Sequence, residues 1–287
     1  MKGIVLAGGT GSRLLPLTQS VSKQLLPIFD KPMIYYPISV LMLAGIREIM
    51  IITTERDQNA FRDLLGDGSR FGVNFNYMAQ NKPRGIADAL ILTKEFISNN
   101  QVCLILGDNL FYGQQFTSAL ARASSRKKKC TLFVKEVKDP ERFGILNTDK
   151  TGNPISIVEK PKKPKSNLAI TGLYFFDNRA NKFAESLEPS QRGELEISDL
   201  NSIYLEKGDL EVEYLGRGFS WLDSGTSESL NDACQFVKST QSSCGRYVAC
   251  LEEIAFNKKW ISKTNLMKSI NKHKGSDYAK YLRSIFR

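Results

Sequence analysis

Residues 3–13 read Gly3-Ile4-Val5-Leu6-Ala7-Gly8-Gly9-Thr10-Gly11-Ser12-Arg13, and Ser22-Lys23-Gln24-Leu25-Leu26-Pro27 follows. A short apolar run that empties into glycines is a buried strand feeding a loop, and the backbone N–H groups of such a loop can face an anion. Arg13 and Lys23, just beyond, add the charge that a polyphosphate needs. The stretch therefore points to a nucleoside triphosphate held at the end of the first strand. It is not a P-loop, because no G-x-x-x-x-G-K-[ST] string occurs. Nor is it a dinucleotide fingerprint, because Leu14 stands where the third glycine belongs.

Working outward, helical patterns at 33–43, 57–65 and 86–96 alternate with strand patterns at 48–53, 71–78 and 102–106. This order predicts an α/β fold with a Rossmann-like, mostly parallel central sheet flanked by helices. Ligands gather at the carboxyl ends of strands in such sheets, where Gly8 and Gly107-Asp108 stand. After residue 130 a β-rich half follows, with strands at 131–137, 144–147, 155–158, 169–176 and 210–215 and helices at 179–187 and 197–207. The chain then reads as helical to about 238, and again at 265–271 and 278–285. This gives a core at 1–227, in two halves at about 1–130 and about 131–227, and a helical C-terminal region at 228–287 that ends in a basic tail. Lys160-Pro161-Lys162-Lys163-Pro164-Lys165 is a loop by composition.

The 287 residues are 41% hydrophobic and carry a net charge of +10. No apolar run reaches the length of a membrane span, and Met1-Lys2-Gly3-Ile4 runs directly into the first strand, so neither membrane nor signal peptide is expected. The five cysteines form no C-x-x-C pair and His273 is the single histidine. Reduced thiols in the cytoplasm are the expectation, rather than a zinc site or a disulfide framework. Residues 256–287 hold nine Lys or Arg against Asp277 alone. With no aromatic-basic interleaving, this tail reads as a solvated face and not as a nucleic-acid surface. Leu266, Met267 and Ile270, then Tyr278, Tyr281, Leu282 and Ile285, have helical spacing and are expected to pack on the body or on a neighbouring subunit.

Leu106-Gly107-Asp108-Asn109 places a carboxylate just past a buried strand, and Trp221-Leu222-Asp223-Ser224-Gly225-Thr226 places a second one in a turn. Magnesium takes one or two carboxylates and fills its remaining positions with phosphate oxygens and water. Either Asp alone would serve equally as a turn or cap residue. Glu159 can accept from sugar hydroxyls, and Lys160 and Arg192 can hold a phosphate monoester. Taken singly, these read as a surface ion pair and a helix-start cluster in Arg192-Gly193-Glu194-Leu195-Glu196. No nucleophile stands with a base, so the chemistry rests on positioning and charge neutralisation.

The ordered series of these strings, with Lys31-Pro32-Met33-Ile34-Tyr35-Tyr36-Pro37 and Asp139-Pro140-Glu141-Arg142-Phe143-Gly144, resembles the sugar-1-phosphate nucleotidyltransferases. The likeness runs from Met1 to about residue 255 and is nearest to members that pass a thymidylyl group to glucose 1-phosphate. The resemblance implies that Leu6, Gly8, Gly9, Thr10, Gly11, Arg13, Lys23, Gln24, Gln80, Gly85 and Asp108 surround the nucleotide, with Gln80 and Gly85 on the thymine edge. It implies that Asn109, Phe143, Gly144, Glu159, Lys160, Thr171, Tyr174 and Arg192 line the sugar-phosphate side and that Asp108 and Asp223 hold Mg²⁺. Catalysis would rest on Arg13, Lys23, Asp108, Lys160 and Asp223. The implied reaction is in-line attack of glucose 1-phosphate on the α-phosphorus of dTTP, giving dTDP-glucose and pyrophosphate as the first step towards dTDP-rhamnose and related deoxysugars. A homotetramer with dTDP-rhamnose as feedback inhibitor is also implied. UTP or another sugar phosphate as substrate, and a non-catalytic sugar-nucleotide regulator, are the competing readings. One departure stands out. The family's Pro-x-Gly-Leu-Ala-Gln-Ala is here Pro83-Arg84-Gly85-Ile86-Ala87-Asp88-Ala89. Asp88 replaces a glutamine and Arg84 adds a cation. The two are expected to pair and leave catalysis intact.

Overall fold

A computed structural model describes residues 1–285. Strand β1 (Lys2–Ala7) is followed by the short pair β2 (Pro27–Ile28) and β3 (Lys31–Pro32), helix α1 (Tyr35–Leu43), β4 (Glu48–Thr53), α2 (Gln58–Leu65) and β5 (Asn74–Ala79). Next come α3 (Asp88–Leu92), α4 (Lys94–Ile97), β6 (Val102–Leu106), β7 (Asn109–Tyr112) and α5 (Phe116–Ser125). The second half carries β8 (Cys130–Glu136), β9 (Gly144–Thr148), β10 (Pro154–Glu159), β11 (Leu168–Phe176), α6 (Ala180–Glu185), α7 (Ile197–Glu206), β12 (Leu210–Tyr214) and β13 (Ser220–Asp223). Helices α8 (Ser227–Cys244), α9 (Leu251–Asn257), α10 (Lys263–Lys272) and α11 (Asp277–Ser284) complete it.

One nine-stranded sheet runs through the molecule. Strands β5, β4, β1 and β6 are parallel neighbours in that order. Strand β11 then adds antiparallel to β6, and β8 and β9 pair with β11. The period-2 alternation of side chains makes both faces apolar. In β4, Ile49 and Ile51 enter one core and Met50 and Ile52 the other. Cys103 and Ile105 of β6, and Leu173 and Phe175 of β11, face the first core, whereas Leu104 and Tyr174 face the second. Because β1 lies between β4 and β6, the loops after β1 and β6 open side by side, the switch point at which such sheets hold ligands.

Four expectations are corrected. The strand expected from residue 71 begins at Asn74, because Gly72 has φ 66° and ends a turn of 3-10 helix whose Phe71 is fully buried. The helix expected at 86–96 is two short ones that meet at Thr93 (φ −100°), whose hydroxyl donates to Ala89 O at 2.6 Å. Asp223 ends a strand rather than sitting in a turn, since β13 pairs antiparallel with β7. In the tail, Leu266, Ile270, Tyr281 and Leu282 are buried in the first core, with Tyr278 and Ile285 packed against it, but Met267 is 39% exposed. Among the described residues no helix is long and apolar enough to cross a membrane.

Candidate active site

The β7–β13 ribbon brings the two aspartates together. Asn109 at the start of β7 is the register partner of Asp223 at the end of β13, and Ser224 N donates to Asp108 O at 3.1 Å. Both carboxylates open on a cleft of about 520 Å³, together with Arg13, Asn109, Phe143, Gly144, Glu159, Lys160 and Tyr174. Residues on strands from both halves of the sheet thus converge on one cavity.

The electrostatics of the pair are unequal. Lys23 is buried, and its ammonium bonds the Asp108 carboxylate. Burial pushes Asp108 up, but the charge of Lys23 and the hydrogen bonds from Lys23 and Asn109 prevail and hold it below its ordinary value. Burial, followed by the neighbouring Asp108 charge, pushes the Asp223 carboxyl up to about 6. Arg142 approaches Asp223 at 3.6 Å without neutralising it. A Cβ on Gly225 would lie 2.8 Å from Arg13 Nη2, so the bare backbone there leaves room for the guanidinium, whose charge acts on Asp223. Two hard oxygen donors that repel one another across a roomy cleft fit a divalent cation. Among the described residues no cluster of three His, Cys, Asp or Glu gathers for a metal, so an ion here would complete its shell with phosphate and water.

Among the residues expected around the nucleotide, Gly8 lies against Gln80 and the Thr53 backbone, and Gly107 lets the end of β6 close on β1 and Gln24. Gly107 N donates to Leu6 O at 2.9 Å, and a Cβ on Gly107 would lie 2.9 Å from Gln24. Gln24 is buried and accepts from Ser22 Oγ at 2.8 Å. Gly9 and Thr10 are exposed at the loop tip, and Gly11 adopts φ 65° with its carbonyl bonded by Thr18. Gln80 is buried at the end of β5 beside Gly8. Gly85 has φ 104° and packs on the Leu195 backbone. Arg84 and Asp88 pair at 2.6 Å, as expected.

On the sugar side, Asn109 Oδ1 accepts from Trp221 Nε1 at 2.7 Å and from Gly172 N at 3.2 Å. Glu159 accepts from Ser198 Oγ at 2.5 Å, and a Cβ on Gly144 would meet both of these side chains at 2.9 and 3.1 Å. Lys160 stands 3.7 Å from Glu159 and is half exposed. Of the residues expected around the nucleotide only Arg13 and Asp108 line the cavity, and of those expected around the sugar phosphate two sit outside it. Thr171 is fully buried and donates to Phe133 O at 2.9 Å, while its neighbour Gly172 faces the cleft instead. Arg192 grips Glu196 at 2.7 Å, at the N-cap of α7, and reaches Glu159 at 3.6 Å from the rim. Sequence reasoning had not singled out Arg142, Ser198 or Trp221, which line the cleft. Arg142 and Trp221 lie within strings already noted. Ser198 carried no signal of its own.

The family model described as nucleotidyl transferase matches residues 2–240. The chain is 56% identical over 282 residues to the glucose-1-phosphate thymidylyltransferase of Neisseria gonorrhoeae, covering 98% of each chain. It is 51% identical over 284 residues to that of Xanthomonas campestris pv. campestris, covering 99% of this chain and 96% of the relative. A crystal structure from Bacillus anthracis, described as a glucose-1-phosphate thymidylyltransferase in complex with sucrose, superimposes with a TM-score of 0.77 at 42% identity, covering 82% of this chain and 94% of that one. A UDP-glucose pyrophosphorylase solved with UDP-glucose shares the fold at a TM-score of 0.73 and 23% identity, covering 83% and 98%. The chain belongs to the nucleotidyl transferase family, in the branch whose relatives are glucose-1-phosphate thymidylyltransferases.

Proposed function

We propose that this enzyme transfers a thymidylyl group from dTTP to α-D-glucose 1-phosphate, giving dTDP-glucose and pyrophosphate. The observation that carries this is the single cleft in which Asp108 and Asp223 meet Glu159, Lys160 and Arg13, the residue that follows the glycine loop after β1. The nucleotide lies towards the half formed by residues 1–130 and the sugar phosphate towards residues 131–227. Arg13 and Lys23 offset the triphosphate charge, Lys160 and Arg192 hold the acceptor phosphate, and Glu159 takes hydrogen bonds from sugar hydroxyls. Holding the attacking phosphate in line with the α-phosphorus supplies most of what the chemistry requires. Asp108 and Asp223 would hold Mg²⁺, which when bound lends positive charge to the reacting phosphate oxygens.

Pyrophosphate release measured with Mg²⁺, offering dTTP and UTP each with and without glucose 1-phosphate, tests the reading. Release that requires glucose 1-phosphate and is faster with dTTP is expected. Release with neither nucleotide would refute it. The methyl group of thymine is worth only about 1–3 kcal/mol of discrimination, so UTP is the informative competitor. A homotetramer and inhibition by dTDP-rhamnose belong to the same proposal. Light scattering and inhibitor titration check them. Five unpaired thiols, three of them buried, suit a cytoplasmic enzyme.

A further inference from the structure

Asp88 is 1% exposed. It is held from two sides. Arg84 Nη2 donates to its Oδ1 at 2.6 Å, and Gln80 Nε2 donates to its Oδ2 at 3.0 Å. A carboxylate in such a pair only accepts, so it dictates which end of the Gln80 amide turns towards it. The amide oxygen is thereby sent the other way, onto the glycine loop, where a Cβ on Gly8 would lie 2.8 Å from Gln80 Oε1. What Gln80 keeps for a ligand is that oxygen and the second hydrogen of its amide nitrogen. An acceptor beside a donor matches a pyrimidine that carries N3–H next to a carbonyl. Cytosine presents the reverse, because its N3 accepts and its 4-amino group donates. Without a carboxylate at position 88 the Gln80 amide would be free to turn over.

We propose that Asp88 is a positioning residue for base selection: it fixes the Gln80 amide so that the pocket admits bases with N3–H and rejects those with a bare N3. The inference rests on the reading of Gln80 as the side chain that meets the base.

The test compares kcat/KM for dTTP and dCTP, with Mg²⁺ and glucose 1-phosphate, in the full-length wild type, Asp88→Asn and Gln80→Ala. In Asp88→Asn the side-chain oxygen stays with Arg84 and the new NH₂ faces Gln80, so the Gln80 amide turns over. The dTTP-to-dCTP ratio is expected to fall by about tenfold or more, the scale on which a hydrogen-bonding site punishes mismatched partners. The change should lie mainly in the KM for nucleotide rather than in kcat, which loss of structure alone would not produce. If Asp88→Asn does not fold, Asp88→Ala, which removes the group that fixes the amide, takes its place under the same criterion. A smaller change in the ratio, with Gln80→Ala collapsing it, would overturn the role of Asp88 and leave the base reading standing. A ratio untouched by Gln80→Ala would overturn the base reading itself, and this inference with it.

Discussion

Gly85 illustrates how narrowly single residues are constrained around the cleft. Its φ of 104° lies where side chains strain the backbone, and a Cβ there would come within 2.3 Å of Leu195 O. The strain alone costs about 1–3 kcal/mol. Gly85→Ala should therefore lower the melting temperature and raise the KM for nucleotide, both readable on one purified variant. Asp223 behaves in the opposite sense. Its half-buried carboxylate lies beside that of Asp108, an arrangement that would suit a cation and disfavours the fold without one. Asp223→Asn should raise the melting temperature of the metal-free protein while reducing turnover about 10²–10³-fold, the usual loss when one charge-stabilising group is removed. Calorimetry with and without Mg²⁺, beside an activity assay, separates the two effects. Loss of both stability and turnover would show that the residue is structural.

The elements that carry the site differ in how well the sequence announces them. The loop after β1 and the end of β6 were legible because apolar runs ending in glycine have local causes. The β7–β13 ribbon was not, since each strand is four residues long and its partner lies about a hundred residues away. Helix α5 was missed although Phe116, Ala119, Leu120 and Ala123 are buried at helical spacing, because two of the four are alanines that carry little hydropathic signal. Helix α8 opens with a capping box in which Thr226 and Ser229 bond reciprocally. This anchors the segment after Asp223. Thr226→Ala should cost about 1 kcal/mol of stability by denaturant titration. At the β9–β10 hairpin, the Thr151 hydroxyl and the backbone and side chain of Asn153 hold the exposed Asp149 carboxyl down to about 2. A depressed carboxylate value stabilises the fold above its unfolded value near 3.8 and ceases to as pH falls through the folded one. The hairpin turn should therefore loosen between about pH 4 and pH 2, seen as loss of the Thr151 and Asn153 amide shifts by NMR.

At the scale of the whole molecule, the C-terminal helices belong to the main core. Ile261, Leu266, Ile270 and Leu282 are buried within it, and each such side chain is worth about 1.5–3 kcal/mol. Their sum rivals the entire stability of a typical domain, about 5–15 kcal/mol. A chain ending at residue 255 should lose cooperative unfolding by circular dichroism, even though the cleft residues all remain. The periodicity of the tail predicted this packing, but only the three-dimensional arrangement identifies the body as its partner. The cleft raises a different matter. Leu106 and Asp108 line it at the end of β6 and Ile170, Gly172 and Tyr174 line it from β11, where Tyr174 lies opposite Leu104 and Leu173 opposite Ile105 along one ladder. No axis of rotation can pass between the two strands without breaking main-chain hydrogen bonds. The floor of the cleft is therefore a fixed gauge and not a jaw. Substrates are measured against it by the chemistry of their edges, and any give comes from loops at its mouth.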